Sequence, residues 1–184
     1  MEKRIIIAGS GGQGILFLGK LIAYSCMLEG KEVACFPSYG AEMRGGTANC
    51  TVIIADDMIS SPVVRNLDIL AVMNEASCNR FIEWLLPEGL LIYDSSIFNV
   101  DRQRKDINAI KVPAANLASS LNGTKAANMA IIGALVAASG ILDIKSVLDA
   151  IAEITPAHRK GSLEVNRDII MKGYTYEDKK SKDS

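Results

Sequence analysis

The fold is decided by Arg4-Ile5-Ile6-Ile7-Ala8-Gly9-Ser10-Gly11-Gly12-Gln13-Gly14, a continuous apolar run that stops at a cluster of glycines. Because its apolar part does not alternate with polar residues, Arg4–Ala8 is typical of a strand buried on both faces of a parallel sheet. The next segment, Gln13–Gly30, carries apolar residues at helical spacing and ends at a glycine that can cap a helix. A strand, a glycine-rich turn and a helix in this order predict a Rossmann-like start.

The rest of the chain continues this alternation before it becomes helical. Strands are predicted at Glu32–Phe36, Thr47–Ala55, Leu67–Met73, Leu90–Tyr93 and Ile107–Val112, with a short return strand at Met58–Ser60. Helices are predicted at Ser77–Leu86, Ala114–Leu121, Lys125–Gly140, Asp143–Ile154 with Asp143 as N-cap, and from Thr155-Pro156 to about Met171. The order predicts an α/β protein, a three-layer α/β/α sandwich whose mostly parallel sheet is mixed if the return strand forms, with a helical C-terminal part. Residues 1–172 are predicted to form one domain and 173–184 a polar, flexible tail.

Composition excludes several classes of partner. The 184 residues carry a net charge of -1 and only 5% aromatic residues, which argues against the basic field and the stacking platform of a nucleic-acid-binding protein. The longest apolar stretch, Ala126–Leu142, contains Asn128 and Ser139 and falls short of a membrane span, so it predicts a helix buried on all sides. The apolar run near the start is too short for a signal peptide. These features predict a cytoplasmic protein without membrane or nucleic-acid partners.

The glycine turn is the first candidate binding segment. Glycines spaced as Gly9, Gly11 and Gly14, with Gly12 and Gln13 between them, favour a diphosphate seated on a helix N-terminus, although the same glycines also permit tight packing of strand and helix. A nicotinamide or flavin dinucleotide site needs an acid after the second strand. That place holds Phe36-Pro37-Ser38, which argues against a stand-alone dinucleotide-dependent oxidoreductase.

The second candidate segment is Pro37-Ser38-Tyr39-Gly40-Ala41-Glu42-Met43-Arg44-Gly45-Gly46. Arg44 offers a forked donor for phosphate or carboxylate, Gly45 and Gly46 permit an anion-binding backbone, and Ser38 and Tyr39 add hydroxyl groups. Glu42 can pair with Arg44, so an ion pair that merely closes the loop is the alternative. If the first two strands are parallel neighbours, both loops leave one sheet edge, where open α/β sheets bind ligands. We therefore interpret the second loop as a ligand or subunit contact.

Three further polar residues bear on this edge. Asn74 follows a predicted strand, where it can reach the edge and also cap the next helix. Lys125 opens the apolar helix, where a cation opposes the helix dipole unless an anion is near. Asn128, one turn further on, requires a hydrogen-bond partner if buried, and hydrogen bonding within the core is the favoured interpretation.

No residue pattern indicates catalysis or metal binding by the chain itself. The cysteines at 26, 35, 50 and 78 form no Cys-x-x-Cys pair, and Cys26, Cys35 and Cys50 are predicted to be small core residues. His158 is the only histidine and no nucleophile lies beside it in sequence. We therefore predict no catalytic and no metal-binding residues, so that redox or acyl chemistry would need a cofactor carried elsewhere.

The two loops together resemble the gamma subunit of 2-oxoacid:ferredoxin oxidoreductases of the pyruvate, 2-oxoisovalerate and 2-oxoglutarate type. Further echoes are Ser61-Pro62, Asp68–Asn74, Ala127-Asn128-Met129 and Gly133-Ala134-Leu135, so the resemblance covers nearly the whole chain and is weakest after Pro156. It implies a hetero-oligomer that decarboxylates a 2-oxoacid on thiamine diphosphate, passes electrons through iron–sulfur clusters to ferredoxin, and forms an acyl-CoA.

The resemblance also implies a division of labour. Thiamine diphosphate and the clusters belong to alpha, beta and delta partner subunits, and the gamma chain, inactive alone, lies near the active site and helps to receive coenzyme A. It places the Gly9–Gly14 turn and the Ser38–Gly46 loop toward a ligand or an interface. A purely structural subunit and a self-sufficient Rossmann-type oxidoreductase are the alternatives.

Overall fold

The computed structural model describes residues 2–39, 47–59, 64–100 and 104–176. The strands are β1 (Glu2–Ser10), β2 (Glu32–Tyr39), β3 (Thr47–Ala55), β4 (Leu67–Val72), β5 (Leu85–Asp94) and β6 (Asn108–Val112). The helices are α1 (Ile15–Leu28), α2 (Glu75–Phe81), α3 (Ala114–Ser120), α4 (Ala127–Ser139), α5 (Ile144–Ile154) and α6 (Leu163–Tyr174). The predicted α/β class and the helical C-terminal part are confirmed. The division at residue 172 stays a prediction, because 177–184 lie outside the described residues.

The strands form one mixed sheet in the order β2-β3-β1-β4-β5-β6. β3 is its antiparallel member, since it runs against both β1 and β2, whereas β1, β4, β5 and β6 are parallel. The first two strands therefore point the same way but are not neighbours, because β3 lies between them. The short return strand was also wrong for Met58 and Ile59, which lie outside any strand, while Ser60 is outside the described residues.

Both faces of the sheet are covered, which explains the unbroken apolar run of β1. Ile5 and Ile7 point into a core shared with α1 and α3–α6, whereas Ile6 and Ala8 point into a smaller core beneath α2. Successive strand residues face opposite sides, so a strand between two cores must be apolar throughout.

The two long apolar helices have different ends and surroundings. α1 stops at Leu28, and Gly30 then adopts a φ of 71° so that the N–H groups of Gly30 and Lys31 donate to the carbonyls of Met27 and Cys26. α4 is buried along most of its length, as predicted. In the part of the chain that the structure describes, no helix combines the length and apolarity that crossing a bilayer requires.

Two helix predictions were wrong in extent. The helix expected at Ser77–Leu86 ends at Phe81, passes through a 3-10 turn at Ile82–Trp84 and gives way to β5, because Leu85 pairs with Leu67 of β4 and is buried in the smaller core. The predicted C-terminal helix begins as a 3-10 helix at Ala157–Ser162 before α6. In the first case, strand pairing between distant residues outweighed a local preference for helix.

Candidate functional site

The glycine turn lies at the carboxyl ends of β1 and β4, two parallel neighbours. The Met73 N–H donates to the Ala8 carbonyl at 2.9 Å, so the strands stay joined up to the point where the chain turns. Gly12 and Gly14 adopt φ angles of 92° and 74°, which residues with a Cβ rarely adopt. The turn then leads into α1 with Gly14 as its N-cap.

Two side-chain amides fix this turn. Gln13 accepts a hydrogen bond from the Ser10 N–H through Oε1 at 2.6 Å and donates from Nε2 to the Met73 carbonyl at 3.1 Å. Asn74 donates from Nδ2 to Ser10 Oγ at 2.7 Å and accepts from the Ser77 N–H at 2.8 Å, which is the predicted N-cap of α2. Both amides therefore hold the turn in position. The part of the turn that is exposed to solvent is Gly11 and Gly12.

The strand ends that flank the second loop lie on the same side of the sheet as the glycine turn. β2 ends at Tyr39 and β3 begins at Thr47, and Thr47 is paired with Ser10 at the end of β1. Ser38 is exposed and lies opposite Asn49. The remaining predicted residues of this loop, Glu42, Arg44, Gly45 and Gly46, lie outside the described residues. β1 and β2 thus end on the same side of the sheet, although they are not the neighbouring strands that the sequence prediction assumed.

A cleft of about 640 Å³ opens beside the glycine turn. One wall is Gly12, Gly14 and Phe17, the second is the segment 122–129 at the start of α4, and the third is formed by residues at the start of α6. Lys125 and Asn128 are far from the glycine turn in sequence, and the structure brings both to one cavity with Gly12 and Gly14, whereas Gly9, Gly11 and Gln13 do not line it. The contribution of α6 was not predicted, because no local pattern in residues 161–166 indicates a binding surface.

The cleft favours an anion. The N-terminal turns of α1 and α4 both face it, neither receives a side-chain cap, and neither contains an acidic residue. The unpaired N–H groups of such turns carry a partial positive charge. Lys125 is exposed and is the only charged residue among those described that line the cleft. Helix N-termini with a nearby lysine are suited to phosphate or carboxylate groups.

Asn128 joins the glycine turn to α4. Its side chain is 6% exposed, and Nδ2 donates to the Gly14 carbonyl at 3.3 Å. A Cβ on Gly14 would lie 2.5 Å from that nitrogen, so the approach is available only to glycine. The hydrogen bonding predicted for Asn128 is therefore confirmed, and its partner is the turn itself.

Sequence reasoning missed one polar residue at this edge. Asp94, at the end of β5, is fully buried and accepts hydrogen bonds from the N–H groups of Ser96 at 3.0 Å and Ala115 at 3.4 Å. It fastens the end of β5 to the start of α3. An acid directly after the apolar run Leu90–Tyr93 was the available signal.

The described residues contain no group of three or more His, Cys, Asp or Glu side chains that could hold a metal ion. All four cysteines are free. Burial raises the pKa of Cys26 to about 12 and that of Cys78 to about 11, so both thiols stay protonated at neutral pH. The groups of the cleft that can bind and orient an anion are thus its backbone N–H groups and Lys125.

Comparison with known proteins agrees with the resemblance predicted from the two loops. The family model for pyruvate ferredoxin/flavodoxin oxidoreductase matches residues 4–176. Ketoisovalerate oxidoreductase subunit VorA of Methanothermobacter marburgensis is 34% identical over 94% of this chain, which spans only 36% of VorA. The 2-oxoglutarate synthase subunit KorC of the same organism is 31% identical over 94% of this chain and 99% of its own length.

The fold also matches a solved structure. The 2-oxoglutarate:ferredoxin oxidoreductase from Magnetococcus marinus, solved with 2-oxoglutarate, coenzyme A and succinyl-CoA bound, superposes with a TM-score of 0.85 at 23% identity. The match covers 94% of this chain and 30% of that one. Since the family model spans nearly the whole sequence and KorC matches over almost its full length, the chain belongs to the pyruvate ferredoxin/flavodoxin oxidoreductase family.

Proposed function

We propose that this chain is the gamma-type subunit of a multisubunit 2-oxoacid:ferredoxin oxidoreductase and that its task is to help bind coenzyme A. The observation that carries the proposal is the cleft between the glycine turn and α4. Two uncapped helix N-termini and Lys125 face it, and no acidic residue lines it among those described. Coenzyme A carries a diphosphate and a further phosphate, which such a site can bind.

The chain contributes binding and orientation. Backbone N–H groups at the starts of α1 and α4 donate to phosphate oxygens, and Lys125 adds a mobile positive charge. Arg44, with Ser38 and Tyr39, contributes further donors from the second loop. Thiamine diphosphate supplies decarboxylation and iron–sulfur clusters supply electron transfer to ferredoxin, and both belong to partner subunits. The described residues offer no metal-ligand group of their own.

The lengths of the relatives support a role in contact with other subunits. The matching segment fills 99% of KorC but 36% of VorA, so the same domain stands alone in one relative and within a longer chain in another. A domain that is fused to other domains in some relatives and separate in others is expected to function in contact with those domains or with the corresponding subunits. We propose alpha, beta and delta subunits as these partners, in the cytoplasm, with a 2-oxoacid as the substrate of the whole enzyme.

Lys125→Met in the reconstituted complex tests the proposal. The Michaelis constant for coenzyme A is expected to rise roughly tenfold, the loss of about one charge-assisted hydrogen bond, while the constant for the 2-oxoacid and the assembly of the complex stay unchanged. Lys145→Met is the matched control, because Lys145 is an exposed lysine at the start of α5 that does not line the cleft. Unchanged coenzyme A kinetics in an assembled Lys125→Met complex would reject the binding role and leave a structural one.

The second loop is tested in the same way. Arg44→Ala is expected to raise the Michaelis constant for coenzyme A with assembly intact. If it instead prevents assembly, Arg44 belongs to a subunit interface, and the binding role rests on the cleft alone.

A further inference from the structure

Two cysteines meet across neighbouring strands at the edge of the sheet. Cys35 in β2 and Cys50 in β3 bring their Sγ atoms to 3.3 Å, although each is paired in the sheet with a different residue, Val52 and Pro37 respectively. The two thiols therefore lie on a diagonal of the antiparallel pair, and both belong to the side of the sheet that α1 covers. Cys35 lies four residues before Tyr39, where β2 ends, and Cys50 lies three residues after Thr47, where β3 begins.

The space around the pair is shaped by α1. A Cβ on Gly19 would overlap Cys50 Sγ and would lie 3.6 Å from Cys35 Sγ, so the helix backbone rests directly on the two sulfur atoms. Cys50 is 1% exposed beneath it, whereas Cys35 is only half-buried. Cys35 is therefore the more accessible of the two residues, and Cys50 is buried beside it.

The two thiols also differ in acidity. The contact between the two thiols lowers the pKa of Cys35 below its ordinary value, and the same contact together with burial raises the pKa of Cys50. Cys26 and Cys78 have their pKa values raised by burial and have no such partner among the described residues. A thiol of lowered pKa in a half-buried residue, with a second thiol in direct contact, is the arrangement of a reactive cysteine and its resolving cysteine.

We propose that Cys35 and Cys50 form a peroxide-sensitive dithiol that closes to an intrachain disulfide. The Cys35 thiolate attacks one oxygen of hydrogen peroxide, the O–O bond breaks, and the leaving hydroxide takes a proton from solvent, which gives Cys35 sulfenic acid and water. Cys50 Sγ then attacks the Cys35 sulfur, the S–O bond breaks, and the released hydroxide takes the Cys50 proton to give a second water. Two thiols and one hydrogen peroxide thus give one disulfide and two waters, and a thiol reductant reverses the change.

The geometry permits this closure. A disulfide needs its sulfur atoms about 2.05 Å apart, so the thiols must approach from 3.3 Å. Because diagonal neighbours of an antiparallel pair lie about 7–8 Å apart, beyond the usual Cα separation of a disulfide, the backbone of β2 must also move toward β3. β2 is an edge strand that pairs only with β3, so it can shift without breaking a second set of strand hydrogen bonds. Closure would join β2 and β3 covalently, in addition to their strand pairing. The proposal is independent of the proposed function, because it rests on the thiols alone.

The test uses the full chain, reduced and then exposed to one equivalent of hydrogen peroxide. The reaction is quenched with N-ethylmaleimide under denaturing conditions and mapped by non-reducing peptide mass spectrometry. We expect a Cys35–Cys50 cross-linked peptide, which dithiothreitol removes, while Cys26 and Cys78 carry the alkylating group. Absence of this peptide, or a cross-link that joins another pair, would overturn the proposal.

Two variants separate the roles of the thiols. Cys50→Ser is expected to stop at Cys35 sulfenic acid, which dimedone traps, and Cys35→Ser is expected to abolish both the cross-link and the dimedone adduct. Cys78→Ser is the control and should form the cross-link like the unaltered chain. If Cys35→Ser consumes peroxide as fast as the unaltered chain, Cys35 is not the reactive thiol and the proposal fails.

Discussion

Two strand-to-helix junctions lie side by side at the carboxyl edge of the sheet, and they treat the helix N-terminus in opposite ways. After β4, Asn74 caps α2 through its side chain, and Glu75 adds an acid to the first turn. After β1, the cap of α1 is Gly14, without a side-chain acceptor and without an acid in the first turn. The first junction caps the Ser77 N–H group with its own side chain, whereas the start of α1 has no side-chain cap and lies at the cleft. The difference separates a junction that stabilises the fold from one that can receive an anion.

The largest loss of stability is expected when Gly14, the N-cap residue of the junction without a side-chain cap, is replaced. Gly14→Ala places a Cβ at a φ of 74° and 2.5 Å from Asn128 Nδ2, so we expect a loss of about 3 kcal/mol in the free energy of unfolding. Gly11→Ala is the matched control, since no atom lies within 4 Å of its added Cβ, and it should change stability by less than about 0.5 kcal/mol. Urea unfolding of the two variants measures both values, and equal stability would show that the close approach of α4 is unimportant.

The capped junction should respond to Asn74→Ala with a smaller loss, about 1–2 kcal/mol, because α2 loses its cap and Ser10 loses a donor. Asn74→Asp retains an acceptor for the Ser77 N–H but no longer donates to Ser10 Oγ. It should therefore recover most of the stability, as measured by urea unfolding. A loss as large as that of the alanine variant would mean that the Ser10 contact, and not the cap, holds this junction.

The smallest effect is expected when α4, whose start has no side-chain cap, is given an acid at its N-terminus, as α2 has. Ala126→Asp places an acid at the N-cap position of α4, which should raise the free energy of unfolding by about 0.5 kcal/mol through the helix dipole. In the reconstituted complex it should raise the Michaelis constant for coenzyme A roughly threefold, since the acid repels phosphate. Ala126→Asn is the neutral control. Gain of stability with unchanged coenzyme A kinetics would separate the uncapped terminus from ligand binding.

Structural features that depend on residues close together in the chain could be predicted from the sequence. The strand, turn and helix of the first 28 residues, the cap at Asn74, the cap at Asp143 and the buried helix α4 each depend on neighbours within a few positions. The family could be predicted from two short loops, because the combined residue patterns of both loops are more specific than either pattern alone.

What could not be predicted depends on pairing between distant residues. Nothing in the sequence of β3 states that it inserts between β1 and β2, and the diagonal contact of Cys35 with Cys50 follows only from that register. Cys35 was expected to be an ordinary core residue and is instead half-buried beside a second thiol. The cleft was missed as a whole for the same reason, since its walls come from the starts of α1, α4 and α6.

The glycines of α4 and α6 have a consequence for the cleft in front of them. A Cβ on Gly133 would overlap the Ile170 carbonyl, and a Cβ on Gly173 would overlap the Ala130 carbonyl, so the two helices touch backbone to backbone. Helices in such contact have no layer of side chains between them that could repack to change their separation. The starts of these helices form two walls of the cleft, so the separation of these two walls is set before any ligand arrives. A cavity that is preorganised in this way selects for the size of the bound group and avoids the entropy cost of closing around it.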